Sequence, residues 1–302
     1  MTNLATLTPT QLRAWTAKIQ QHLQTGQQPN YIPRLLEANL TDLVVAVRCL
    51  EGATYVVGNA QTRFVLMSVV KPFVLLYLLE HFGKAKVFQR VGLDPSGEPF
   101  NSLQQLQADR GFPRNPMINS GALVLASMLP GNSALERCNR FCDWLNQTAN
   151  SNYVLDEAMV MSVRQGGSKQ NRALTSLLAQ AGYVDDEEVT LDTYNHVCCL
   201  SGTVIDLVNL GLLLAGKPGV VMTNRQIVNA LMLTCGLYEM SGRYAVRVGL
   251  PAKSGVSGAL LAVVPREGAI ASYSPALDAV GNPIAGMLLL EKLSQSLSLS
   301  IF

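Results

Sequence analysis

Ser68 and Lys71 stand three residues apart at the head of an apolar run, Met67-Ser68-Val69-Val70-Lys71-Pro72-Phe73, that ends near Gly83. If the run starts a helix, the hydroxyl and the amine share one face, because side chains three apart on a helix are neighbours. A hydroxyl beside an amine is a nucleophile with its base, the pair that acyl transfer requires. Pro72 agrees with this placement, since proline fits the first helical turn, where its missing N–H has no intrahelical carbonyl to meet. One Ser-x-x-Lys arises by chance in a chain of this length, so a second element has to support it. That element is Lys253-Ser254-Gly255, the only Lys-Ser/Thr-Gly in the sequence, which lies in a strand-like context far downstream.

The elements around these residues follow from periodicity. Residues 8–23 carry apolar positions at helical spacing behind Thr8-Pro9-Thr10, and Asn30-Tyr31-Ile32-Pro33-Arg34 turns into a short helix. Segments 43–50 and 54–57, broken at Glu51-Gly52, predict a β-hairpin, and Phe64-Val65-Leu66 leads into Ser68. Helical patterns follow near 68–82, 101–107, 119–129, 133–148, 155–164, 171–181, 190–199, 203–215 and 224–233, punctuated by Gly and Pro. Strand character returns at 245–249, 258–264 and 268–274, ahead of a terminal helix over 284–297. The acidic run 185–188 reads as a solvated loop before a helix. Strands, helices, then strands again predict an α/β (α+β) fold whose antiparallel sheet is built from both chain ends around an inserted helical lobe. The implied division is 1–67 with 241–302 for the sheet lobe and 68–240 for the helices.

Composition narrows the function. Charged residues are 15% and apolar ones 48% of the 302 residues, so much of the surface is expected to be covered, as in a homodimer or homotetramer. The net charge of +2 without a basic block argues against nucleic acid and for a small ligand. No secretory signal is evident at the N-terminus, and the apolar runs are too short to span a bilayer, so a cytoplasmic, membrane-free protein is expected. The six cysteines form no Cys-x-x-Cys pair and the three histidines show no ligand spacing; no metal is expected.

Taken together and in order, several blocks resemble the bacterial and mitochondrial-type glutaminases, which share the serine β-lactamase and penicillin-binding fold. They are Asn30 to Pro33, Ser68 to Pro72, Asn115 to Ala122, Leu191 to Tyr194, Cys235 to Tyr238, and Val248 to Gly258. The resemblance implies hydrolysis of L-glutamine to L-glutamate and ammonia through a Ser68 acyl-enzyme. It makes Lys71 the base, its pKa lowered by burial and by Lys253, and makes the N–H groups of Ser68 and Val256 an oxyanion hole, with Val256 on a strand. It gives Tyr194 and Tyr238 places against nucleophile and substrate, with Tyr238 in proton transfer. Tyr31, Asn119 and Asn171 would hold the amino-acid end and the amide, and no cofactor is called for. Without the resemblance, the two tyrosines read as core rings and Asn119 as an N-cap.

Two positions depart from the pattern. Met67 stands where the family places glutamine, and the acid expected before Asn171 falls on Val163 or Arg164, the latter a charge that would repel the substrate's α-ammonium. The chain therefore leaves two other readings open: a serine hydrolase of another amide, β-lactam-like or without an α-ammonium, and a non-catalytic relative that binds.

Overall fold

The computed structural model describes residues 3–21, 23, 26–166 and 169–302. Its helices and strands run in chain order as α1 (Pro9–Gln20), β1 (Val44–Cys49), β2 (Thr54–Val57), β3 (Phe64–Val65), α2 (Lys71–Phe88), α3 (Leu103–Ala108), α4 (Asn119–Ser127), α5 (Ala134–Ala149), β4 (Val154–Leu155), α6 (Glu157–Gly166), α7 (Lys169–Gln180), α8 (Glu187–Cys198), β5 (Leu200–Gly202), α9 (Val204–Ala215), α10 (Met222–Cys235), α11 (Ser241–Arg247), β6 (Ala252–Ser254), β7 (Ala259–Val264), β8 (Gly268–Tyr273) and α12 (Ile284–Leu297). Short 3₁₀ turns occupy Pro33–Glu37, Met67–Val70 and Tyr238–Met240.

Five strands form an antiparallel sheet in the order β2-β1-β8-β7-β6. Side chains alternate across a strand, and here both faces are covered. Leu261, Val263 and Ala271 face a core shared with the helices, while Leu260, Ala262 and Ile270 face a second core with α1 and α12. This two-sided burial is why β7 reads as an unbroken apolar run rather than an alternating one. Register then sets the direction of Lys253: it pairs with Leu261, so its amine enters the helix-facing side, and it is fully buried.

Several boundaries differ from the sequence expectation. The apolar run at Ser68 opens with the 3₁₀ turn before α2, and α2 continues past Gly83, whose φ of 74° breaks the helix without ending it. Residues 245–249 are not a strand. Most of them belong to α11, because Tyr244 and Val248 are four apart and the Val248 N–H donates to the Tyr244 carbonyl at 2.8 Å. A second sheet, β3-β5-β4, ties Phe64 to Gly202 and Val154 to Ser201. Among the described residues no helix is long and apolar enough to cross a membrane.

Candidate active site

Ser68 owes its position to a sharp turn. Met67 is held at φ 45°, a left-handed conformation that costs a non-glycine residue roughly 1–2 kcal/mol and reverses the chain between β3 and α2. The Leu66 N–H donates to the Leu200 carbonyl of β5 at 2.8 Å, and the Val69 N–H to the Leu66 carbonyl at 3.0 Å. The turn is thereby fixed to the small sheet, and Ser68 lines a cavity of about 290 Å³.

Lys71 is the first residue of α2, with its side chain buried. Its Nζ donates to the Met117 carbonyl at 3.1 Å and to Asn119 Oδ1 at 2.7 Å. Burial pushes its pKa down to about 8, opposed by the nearby Cys198. Lys253, whose Nζ donates to the Ser254 carbonyl at 2.7 Å, is pushed well below the ordinary lysine range, by burial first and then by Lys71. The repulsion tells on Lys253 alone: burial by itself lowers Lys71, so the expected contribution of Lys253 to the Lys71 shift is not seen.

Asn119 joins the pieces. Its Oδ1 accepts from Lys71 and, at 3.3 Å, from the Tyr194 hydroxyl, while its Nδ2 donates to Asn171 Oδ1 at 2.8 Å. It begins α4 but makes no side-chain cap, so the plain N-cap alternative does not hold. Tyr194, on α8, is buried and its pKa is raised well above the usual value, chiefly by burial, which keeps the phenol a hydrogen-bond donor. Tyr31 sits at the rim and is 43% exposed.

Tyr238 lies outside that cavity, behind Phe100, whose ring centroid is 4.7 Å from its own. The Lys253 ammonium stands 4.4 Å from the Tyr238 ring centroid. The Tyr238 hydroxyl is buried and makes no well-aligned hydrogen bond, although the Ser68 and Ser254 hydroxyls stand beside it. Burial raises its pKa, and the neighbouring Ser68 and Ser254 hydroxyls temper the rise. Tyr238 also has a left-handed backbone, φ 57°, and so shares with Met67 the local strain that collects at functional sites.

Val256 is in the turn between β6 and β7, not on a strand. That turn approaches Ser68 closely enough that a Cβ on Gly255 would lie 2.8 Å from the Leu66 carbonyl oxygen and 3.4 Å from the Ser68 nitrogen. Only glycine permits such an approach. Among the described residues neither the Ser68 nor the Val256 N–H has a backbone acceptor, so two turn-start donors stand close together without partners.

The ambiguity at positions 163 and 164 is also resolved. Val163 lines the cavity with Asn171, whereas Arg164 reaches away to a bidentate pair with Asp192, at 2.8 and 2.7 Å. The expected repulsion from Arg164 is corrected accordingly. Phe100, Asn195, Cys198 and the Met117 carbonyl were not foreseen as neighbours of the site. Their contacts depend on tertiary packing, and the last is a backbone atom with no residue-type signature.

The glutaminase family model matches residues 26–302. The chain belongs to the glutaminase family. A glutaminase of a Synechocystis species is 41% identical over 296 residues, covering 97% of this chain and 90% of that one. The crystal structure of a Bacillus subtilis probable glutaminase superposes with a TM-score of 0.90 at 32% identity, with 97% of each chain covered. Another, the covalent complex of the Bacillus subtilis glutaminase with 5-oxo-L-norleucine formed from 6-diazo-5-oxo-L-norleucine, gives a TM-score of 0.88 at 32% identity, covering 97% of this chain and 99% of that one. The mixed fold with antiparallel sheets is the serine β-lactamase-like fold of these glutaminases. The chain is thus a hydrolase of the glutaminase class, and the purely binding relative is set aside.

Proposed function

We propose that the protein hydrolyses the side-chain amide of glutamine through an ester on Ser68, with Lys71 as the base. The Ser68 hydroxyl attacks the carboxamide carbon, its proton passes to Lys71, and ammonia leaves with a proton returned from the site. Water then repeats the sequence on the ester and releases glutamate. The single observation that carries this reading is the hydrogen bonding of Lys71. A neutral amine has two N–H groups and one lone pair. The two N–H groups are committed to Met117 and Asn119, so the lone pair is left for the Ser68 proton. Tyr194 holds Asn119 in register, and the free N–H groups of Ser68 and Val256 suit an oxyanion. The ring of Tyr238 beside Lys253 leaves its hydroxyl as the further donor for the departing amine. Asn171, Asn119 and Tyr31 are the polar groups offered to the rest of the substrate.

Cys198 also lines the cavity, but its thiol is pushed up to about 11 by burial, which leaves it a poor nucleophile at neutral pH. A β-lactam-directed hydrolase gains no support from the comparisons.

The pH profile tests the assignment of the base. Because the Lys71 pKa is lowered to about 8, the reactive neutral amine predominates above that pH and declines below it. kcat/KM for amide hydrolysis is expected to rise about tenfold per pH unit up to pH ~7.5 and to level off above ~8.5. A flat profile from pH 6 to 9, measured by ammonia release, would exclude Lys71 as the base. Gly255→Ala tests the oxyanion donors. The added methyl collides with the Leu66 carbonyl and drives the β6–β7 turn off Ser68, so kcat is expected to fall on the order of 10²-fold with KM little changed. Full activity in this variant would remove Val256 from the mechanism.

A further inference from the structure

The walls of the cavity that Ser68 lines carry an unbalanced set of charges. Among the described residues lining it there is no aspartate or glutamate, and Lys169, which is exposed, is the one lysine or arginine. Such a field favours an anion and gives a cation no countercharge. Asp192, three residues before Asn195 on α8, is engaged by Arg164 and lines a neighbouring pocket that shares Asn195 with this one.

Val163, at the position where an acid is expected from the family resemblance, and Asn195 both line this cavity. Val163 is apolar and buried. Asn195 is 3% exposed, and its Oδ1 is buried with no partner while the residue lines the cavity. That Oδ1 has almost no accessible surface, so it meets a ligand group or a bridging water only if the side chain turns, and Asn195 lines the neighbouring pocket as well. An amide oxygen offers only a dipole, so it can meet a neutral donor or a bridging water at far lower cost than an unbalanced ammonium. Lys169, in contrast, suits a carboxylate.

We propose that this site reads the α-end of its substrate with neutral groups, Val163 and Asn195, and therefore takes the ω-amide of a short dicarboxylic acid that lacks an α-ammonium about as readily as it takes L-glutamine. The inference rests on the amidohydrolase reading above and narrows its substrate class. The simplest such compound is 4-carbamoylbutanoate, which is glutamine without its amino group.

The test is ammonia release from L-glutamine and from 4-carbamoylbutanoate by the full chain, beside the isosteric variant Asn195→Asp. The two kcat/KM values are expected to agree within about tenfold in the unchanged protein. Asn195→Asp adds a carboxylate to the wall without changing its volume, and should shift the ratio toward glutamine by tenfold or more, mostly through KM. A preference for glutamine beyond tenfold in the unchanged protein, or a ratio that Asn195→Asp does not move, overturns the proposal. Release of ammonia from neither amide is a separate result: it refutes the hydrolytic reading itself, and this inference falls with it.

Discussion

Ser68→Ala is expected to release ammonia from glutamine at least ~10⁴-fold more slowly than the unchanged protein, with kcat rather than KM carrying the loss. The hydroxyl is the only atom removed. The turn that presents it is held by main-chain bonds, from the Leu66 N–H to the Leu200 carbonyl and from the Val69 N–H to the Leu66 carbonyl, none of which the substitution touches. The variant should therefore fold with an unchanged thermal midpoint and still bind the substrate. Steady-state kinetics with thermal denaturation separates the two effects. A variant that keeps more than a hundredth of the activity would show that Ser68 forms no ester.

Lys71→Met is expected to lower kcat by about 10² to 10⁴-fold while leaving the protein at least as stable at neutral pH. The sign follows from the direction of the pKa shift. The folded value, about 8, lies below the ordinary 10.5. Below pH 8 the lysine is protonated in both the folded and the unfolded chain, and holding that charge in the interior costs about 3 kcal/mol. The penalty fades between pH 8 and 10.5 and is absent above. Methionine fills the same space with no charge. It also gives up the bonds to Met117 and Asn119, worth about 1 kcal/mol each, which offsets much of the gain. The variant's stability advantage should therefore be greatest at pH 7 and shrink as the pH is raised past 8. A marked fall in thermal midpoint at pH 7 would mean that Lys71 is a structural rather than a functional residue. A buried ammonium kept against its own stability cost is the usual mark of a group retained for chemistry.

Much of the site was legible from local spacing. Ser68 and Lys71 were read from their three-residue separation ahead of Pro72, and both lie where the chain enters α2. The terminal helix over 284–297 was legible because its apolar face is long and its period unambiguous. α11 was misread for a specific reason. Residues 244 and 248 share a side in a strand and in a helix alike, and the discriminating position is Val246. A strand with that buried face would bury it, but it is 89% exposed. β4 and β5 are two and three residues long, too short to leave a period in the sequence. They become strands only because β5 pairs with Phe64–Val65 on one side and with β4 on the other, all far apart along the chain.

The substrate end of the site was the least legible. Positions 163 and 164 are adjacent on α6, and which of them faces the cavity depends on helix phase, which spacing alone did not fix. Arg164 turns out because Asp192 receives it on the outer face of α8. Asn195 follows Tyr194 directly, yet it carried no motif of its own. Its significance lies in an acceptor with nothing to accept from, a property of packing that appears only once α6, α7 and α8 are assembled.

Whether Ser68 is the nucleophile is decided by mapping the residue labelled by 6-diazo-5-oxo-L-norleucine, the compound that forms a covalent complex with the Bacillus subtilis glutaminase. The protein would be inactivated at high reagent concentration, digested, and its peptides sequenced by mass spectrometry beside Ser68→Ala and Cys198→Ser treated alike. The account predicts one adduct, on Ser68, lost in Ser68→Ala and retained in Cys198→Ser. An adduct on Cys198 that persists in Ser68→Ala would contradict it and move the nucleophile to the thiol.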